Sequence, residues 1–537
     1  MGGGDTCQPQ ISTAGSTTRG SQKRRRHRSY PPPDNTSSFD PFSCYLIARA
    51  IPQIPDHSQD LSYVIILKTV LTGSMRTNHQ PWLLFVLLLI LSYYTPCFSI
   101  AGDTLSPGHS LSLSKRETIV SKDGTFELGF FQPGTSLKFY LGTWFRRFGQ
   151  KDNIVWVANK ENPLSDPSSS TLNLSEDGNL LLFQGSSKIP FWWTNLTFPG
   201  SNITEAVLGE DGNFVLRDRS NLSRIFWESF DHITDTWLPG AKLWIDKVTR
   251  KQQLFISWKN SQDPAPGVFS LQLDPDGSNQ FVLDWNRSQI YWHSGLWNGN
   301  YFSNIPEMTM NSIYNFSFVS YENGIYLTHS LHNPSFHSKL VMKCTGEMQL
   351  LTWLSGPWVW NSFWSAPRDQ SDIYALCCAF GVLYHENSSN PCECLKGFQP
   401  FSMNYTRISD WSGGCVRKSA LQCENNTYAN NATKDWFLKV PNVRLPANSK
   451  EYSTVSAMNC DVACMNNCSC TTYAYNRSGY CMIWKGALLN LQQLSDSDQT
   501  GQDIYLKLAA DESTKELDRF GTVVETARQG AAGILRG

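Results

Sequence analysis

Cysteines and Asn-x-Ser/Thr triplets are the residues whose type and spacing could do chemistry, and that chemistry is cross-linking and glycan attachment. Of 15 cysteines, Cys7, Cys44 and Cys97 lie before or inside an apolar segment, and the rest fall after residue 340 in two dense groups. Clustered cysteines beside many sequons point to an oxidising compartment and small stapled domains. There are no paired C-x-x-C knuckles and no histidines at ligand spacing, so no metal is expected. The sequons beyond the apolar segment start at Asn173, Asn195, Asn202, Asn221, Asn286, Asn315, Asn387, Asn404, Asn425, Asn431, Asn467 and Asn476. Their spread fits a secretory glycoprotein whose loops face water. Asn467 is crowded between cysteines and is left out of the expected set. The sequence contains no Gly-rich phosphate loop, V-A-I-K lysine, H-R-D loop, D-F-G or G-x-S-x-G elbow. No catalytic residue and no cofactor is expected.

At 537 residues the chain exceeds one core. Its 13% aromatic content, with 19 Trp, against 17% charged residues suits half-buried pleated surfaces. A formal net charge of −1 gives no field for nucleic acid. The run Trp82–Leu91 is shorter than the about 20 residues a membrane span needs, but has the length of a secretory h-region. With Arg76 before it and Ser99 and Ala101 after it, residues 75–101 read as a signal peptide starting at Met75. Residues 1–74, which carry the basic run Lys23–Arg28, read as a disordered or spurious extension rather than a nuclear signal.

The elements that must position these residues are strands. The short strand-like runs Thr125–Phe131, Asn153–Asn159 and Asn179–Phe183 alternate with Gly, Asn, Asp and Pro turns. Asp177-Gly178-Asn179 and Asp211-Gly212-Asn213 each precede an apolar strand, with Asp123-Gly124-Thr125 as a weaker relative. Such repetition suggests similar hairpins around a pseudo-symmetry axis.

Three longer motifs carry a resemblance. They are Ile154-Val155-Trp156-Val157-Ala158-Asn159, then Phe226-Trp227-Glu228-Ser229-Phe230-Asp231, then Tyr291-Trp292-His293-Ser294-Gly295-Leu296-Trp297. Over roughly residues 101–509 the chain resembles the plant S-domain family, the S-locus glycoproteins and the ectodomains of G-type lectin S-receptor-like kinases. The resemblance implies a mainly β, multidomain chain. A bulb-lectin, β-prism-like domain is expected at 102–220 and a second lectin-like β domain, the S-locus glycoprotein domain, at 221–366. A small EGF-like module at 367–416, an α+β PAN/apple domain at 423–509 and an atypical tail at 510–537 complete the order.

Mannose-binding bulb lectins use Q-x-D-x-N-x-V-x-Y. One repeat here aligns Ser175, Asp177, Asn179, Leu181 and Phe183, and the other Gly209, Asp211, Asn213, Val215 and Arg217. Both keep Asp and Asn but lose Gln and the Tyr hydroxyl, so the carbohydrate sites are degenerate. The Asp-Gly-Asn units are expected to close hairpins. The EGF-like module lacks two of the family's six cysteines, with Ser371 and Leu383 in their places. By the family pairing this leaves Cys377–Cys392 and Cys394–Cys415. In the PAN domain the resemblance implies Cys460–Cys481 and Cys464–Cys470, with Cys423–Cys468 the remaining pair. Cys344 and Cys378 fit no family position, and bridging each other, staying as thiols or joining two chains are all open.

The resemblance implies an extracellular recognition glycoprotein, secreted to the apoplast, acting in pollen recognition or defence-type signalling. It would bind a peptide, a small protein or a glycan and dimerise with itself or with S-domain receptors. Two alternatives stand beside this: a truncated membrane S-receptor-like serine/threonine kinase, and a mannose-binding lectin.

Overall fold

The computed structural model describes residues 102–513 apart from 149–152, 198–203, 311, 355–358, 385–390, 402–410, 412, 423–434, 454–455 and 476–478. The expectations for residues 1–101, for 514–537, for Cys423, and for Asn202, Asn387, Asn404, Asn425, Asn431 and Asn476 lie outside the described residues.

Period-two alternation dictates the architecture. In Thr171–Leu174 and Leu180–Phe183, Leu172, Leu174, Leu180 and Leu182 are buried while their neighbours keep some exposure. Such short strands bury one face only by converging on a shared interior. Three four-stranded antiparallel sheets do so in the first domain. One holds Ile119–Val120, Phe126–Phe131, Tyr140–Phe145 and Ile154–Val157. Another holds Ser110–Ser112, Thr171–Leu174, Leu180–Phe183 and Trp192–Trp193, and the last Thr104–Leu105, Thr204–Leu208, Phe214–Asp218 and Ile225–Glu228. The N-terminal stretch supplies the first strand of every sheet and so laces the prism shut.

The lectin domain therefore runs past the expected boundary at residue 220. Ile225–Glu228 is the fourth strand of its last sheet. Trp227 packs edge-to-face on Trp156 (5.8 Å), Trp192 and Phe214 in the same interior.

The second domain repeats the wiring. Thr236–Trp237, Lys242–Asp246 and Phe255–Asn260 each start a different sheet, and the later strands fill them in reverse order toward Val359–Ala366. The middle sheet has three strands, with the hairpin Tyr314–Tyr321 and Gly324–Leu331 reversed in order. Between the prisms, Phe148 stacks on Trp353 at 3.7 Å and the Trp360 Nε1–H donates to Asn153 Oδ1 at 2.6 Å.

The expected EGF-like and PAN modules share one eight-stranded sheet. Gly381–Tyr384 and Cys392–Cys394 form one end of it, and Val382 pairs in parallel with Leu491 of the PAN strand Leu491–Gln493. The backbone of Gly381–Tyr384 finds its second ladder there. One apolar cluster runs from Ile233 of the second prism through Val382 to Leu508. At the sheet's centre Gln502–Leu508 lies between Trp436–Arg444 and Cys470–Tyr475.

Disulfides Cys377–Cys392 and Cys394–Cys415 form at Cα separations of 5.4 and 5.7 Å. Cys460–Cys481 and Cys464–Cys470, at 5.6 and 5.3 Å, pin the helix Ala457–Met465 to the sheet. The Cys423–Cys468 bridge is absent: Cys468 sits in the turn after the helix, exposed and with no disulfide. Cys378 is disulfide-bonded, and Cys344 is not its partner.

Two buried polar side chains stand out. The Lys507 ammonium, on the central strand, donates to the carbonyls of Met465 (3.1 Å), Asn467 (3.4 Å) and Cys464 (3.5 Å), closing the helix C-terminus. Lys507→Met should lower stability by about 1–3 kcal/mol, read by denaturant unfolding, because the carbonyls lose their donor. His329 lies in the second prism's core against Trp237 and Phe316, with neither ring nitrogen hydrogen-bonded. Burial pushes its imidazole down to about 3. The unfolded chain takes this proton below about 6.5 and the folded chain does not, so the stability His329 contributes is complete above that pH and drains away as pH falls toward 3. Between pH 7 and 5, His329→Leu should lose about 2 kcal/mol less stability than the native chain; identical losses would contradict this assignment.

Candidate functional site

The chemistry-bearing hairpin ends are built on glycine. Gly178 and Gly212 adopt φ of +88° and +85°, a left-handed turn that a Cβ would strain. Their N–H groups donate to the carbonyls of Ser175 and Gly209 at 3.0 and 3.1 Å. Gly124, Gly277 and Gly346 make the same bond three residues back, so the turn recurs in both prisms.

The asparagine after each turn decides the character of the site. The Asn179 Nδ2 donates to Leu196 O at 3.0 Å, while its Oδ1 accepts from the Thr194 hydroxyl at 3.0 Å and the Leu196 N–H at 2.8 Å. In the other repeat Asn213 Nδ2 donates to Glu228 at 2.6 Å, and its Oδ1 accepts from the Ser229 hydroxyl at 3.1 Å and the Phe230 N–H at 3.2 Å. Both asparagines are buried, and their amides are spent joining the start of the third strand of a sheet to the end of the fourth and the segment after it. A hydroxyl completes each tie: Thr194 accepts from Leu180 N–H, Ser229 from Phe214 N–H and, in the second prism, Ser294 from Phe281 N–H.

The remaining motif positions scatter. Asp177 is exposed, and the Ser175 hydroxyl donating to it holds its carboxyl below the usual carboxylate range. Asp211 caps its turn by accepting from Asn213 N–H at 3.0 Å. Leu181, Phe183 and Val215 are half-buried on outward faces, and Arg217 Nε, at the Tyr position, donates to Glu205 at 2.9 Å. A polyol needs donors and acceptors that are still uncommitted, and here the two amides are already committed. Sequence reasoning missed the partners Thr194, Leu196, Glu228 and Ser229. Only Glu228 and Ser229 carried a signal, inside the Phe226–Asp231 motif, whose conformation is now explained by the tie to Asn213. Asn159, from the first motif, is likewise structural: it accepts from Leu141 N–H and donates to Asn162 O, both at 2.8 Å.

Among the described residues no group of His, Cys, Asp and Glu could hold a metal ion, and no helix is long and apolar enough to cross a membrane.

Family profiles match in the order the folds occur: D-mannose binding lectin over residues 153–259, S-locus glycoprotein domain over 292–402 and PAN-like domain over 415–491. An S-locus-specific glycoprotein from Brassica oleracea is 36% identical, the match covering 79% of this chain and 95% of that protein. The chain belongs to the S-locus glycoprotein family. A second S-locus-specific glycoprotein, from Brassica oleracea var. alboglabra, is 34% identical over 81% of this chain and 97% of its own. A G-type lectin S-receptor-like serine/threonine-protein kinase from Arabidopsis thaliana is 43% identical over 79% of this chain and 51% of its own. The chain spans about half the length of the curated kinase relatives it matches. Its lectin, S-locus glycoprotein and PAN domains are those of this S-domain family.

Asn213→Ala should lower the stability of this S-domain chain by about 1–3 kcal/mol in urea unfolding, since Ser229 and Glu228 lose their shared partner. An unchanged midpoint would mean that the amide is not part of the hairpin tie.

Proposed function

We propose that this S-domain chain is extracellular, reaches its compartment through the signal segment ending near Ala101, and binds a polypeptide ligand without catalysing a reaction. The observation that carries this reading is the inward commitment of the Asn179 and Asn213 amides. It leaves the lectin prism as a scaffold whose outward side chains, not its sugar motif, make the contacts. The family resemblance supports pollen recognition or defence-type signalling as the setting, with a homo- or heterodimer of S-domain ectodomains as the assembly. The sequons at Asn221, Asn286 and Asn315 lie on exposed residues, which suits glycan attachment, whereas Asn173 is half-buried.

The coverage of about half of the kinase relatives favours a second reading, in which this ectodomain precedes a membrane helix and a serine/threonine kinase in one gene product. A continuous transcript frame beyond the codon for Leu508 into an apolar segment would establish it.

The ectodomain secreted from plant cells, immobilised and exposed to tissue extract, should retain a polypeptide whose binding survives enzymatic removal of that ligand's glycans. It should give no signal on mannose-terminated array glycans. Mannose binding that Asn179→Ala abolishes would overturn the reading in favour of a working lectin.

A further inference from the structure

The outward face of the second lectin sheet is apolar where a sugar motif would be polar. Leu181 and Phe183 occupy the Val and Tyr positions of the degenerate repeat. Beside them Ile189 is 76%, Phe191 37% and Trp193 47% exposed. Trp193 stands directly across from Leu181, so these two side chains share one face of the sheet. Exposed large apolar side chains grouped on one face mark a surface that a further group is suited to cover.

The chain carries a candidate cover two residues away. Asn195-Leu196-Thr197 is a sequon, and among the twelve sequons beyond the apolar segment it alone has Phe, Tyr or Trp two positions before the asparagine. Asn195 is exposed and left-handed, with φ of +53°, a conformation asparagine tolerates and one that turns the chain back beside Trp193. The Trp193 Nε1–H donates to the Asn195 Oδ1 at 3.3 Å. That bond uses the amide oxygen and leaves Nδ2, the atom that takes the sugar, with no hydrogen bond among the described residues. Attachment of a glycan to Nδ2 therefore preserves the bond.

We propose that Asn195 carries an N-linked glycan whose first N-acetylglucosamine stacks on the Trp193 ring, so that the chain's own sugar covers the face that no longer binds a free one. The axial C–H groups of a pyranose face are weakly positive and meet the negative face of the indole, while their contact removes apolar area from water. The inference rests on the proposed secretory route.

The test uses the full chain expressed in secretory plant cells, with glycopeptide mass spectrometry and thermal unfolding as readouts. Asn195 should be occupied, and Trp193→Ala should lower its occupancy but not that of Asn221. Asn195→Gln should lower the unfolding midpoint by about 1–4 °C when Trp193 is present, keep that effect with Trp193→Phe, and lose it in the Trp193→Ala background. An empty Asn195 beside an occupied Asn221 overturns the proposal. So does an Asn195→Gln effect of equal size with and without Trp193. If every sequon is empty, the secretory route itself fails and the glycan with it.

Discussion

Short antiparallel sheets that bury only one face must share an interior, and this constraint governs the chain. No sheet of two- to six-residue strands in the first prism closes over its own leucines. Three of them do so together, and the lacing of the N-terminal segment through all three makes the closure cooperative. The buried tryptophans arise from the same requirement, because three converging faces leave a wide interior that large rings fill best. The asparagine and hydroxyl ties at the hairpin ends satisfy backbone groups where the ladders stop.

The residues that would read a sugar in a working bulb lectin have thus become part of the scaffold. Asn179 and Asn213 sit at the places where a strand ending would otherwise leave amides and carbonyls without partners. Once Gln and Tyr are gone, nothing draws the asparagine side chains outward, and the interior offers them three bonds each.

Local pattern carried much of this. The strands, the turns at Asp-Gly and the hairpin role of Asn179 were legible because burial alternates and because glycine marks a left-handed turn. The fourth strand Ile225–Glu228 was not, since its sequence carries no alternation stronger than its neighbours. The shared sheet was hidden for a different reason: the parallel pairing of Val382 with Leu491 is a long-range register, and a strand's sequence does not name its distant partner. Lys507 carries no mark of burial in the sequence, and only the helix end above it gives it a use. His329 gave no signal, because a buried neutral histidine and a surface histidine read alike in a single sequence.

The sheet that joins the cysteine-rich modules also sets how the chain bears load. The backbone leaves it at Leu508 from a central strand, held on one side by Trp436–Arg444 and on the other by Cys470–Tyr475. Traction on that exit runs along the strand and strains both ladders at once instead of peeling an edge one bond at a time. The Lys507 side chain ties the same strand to a helix stapled by two disulfides. From there a single apolar cluster continues into the second prism, so the strand that carries the load is packed into the same core as that prism.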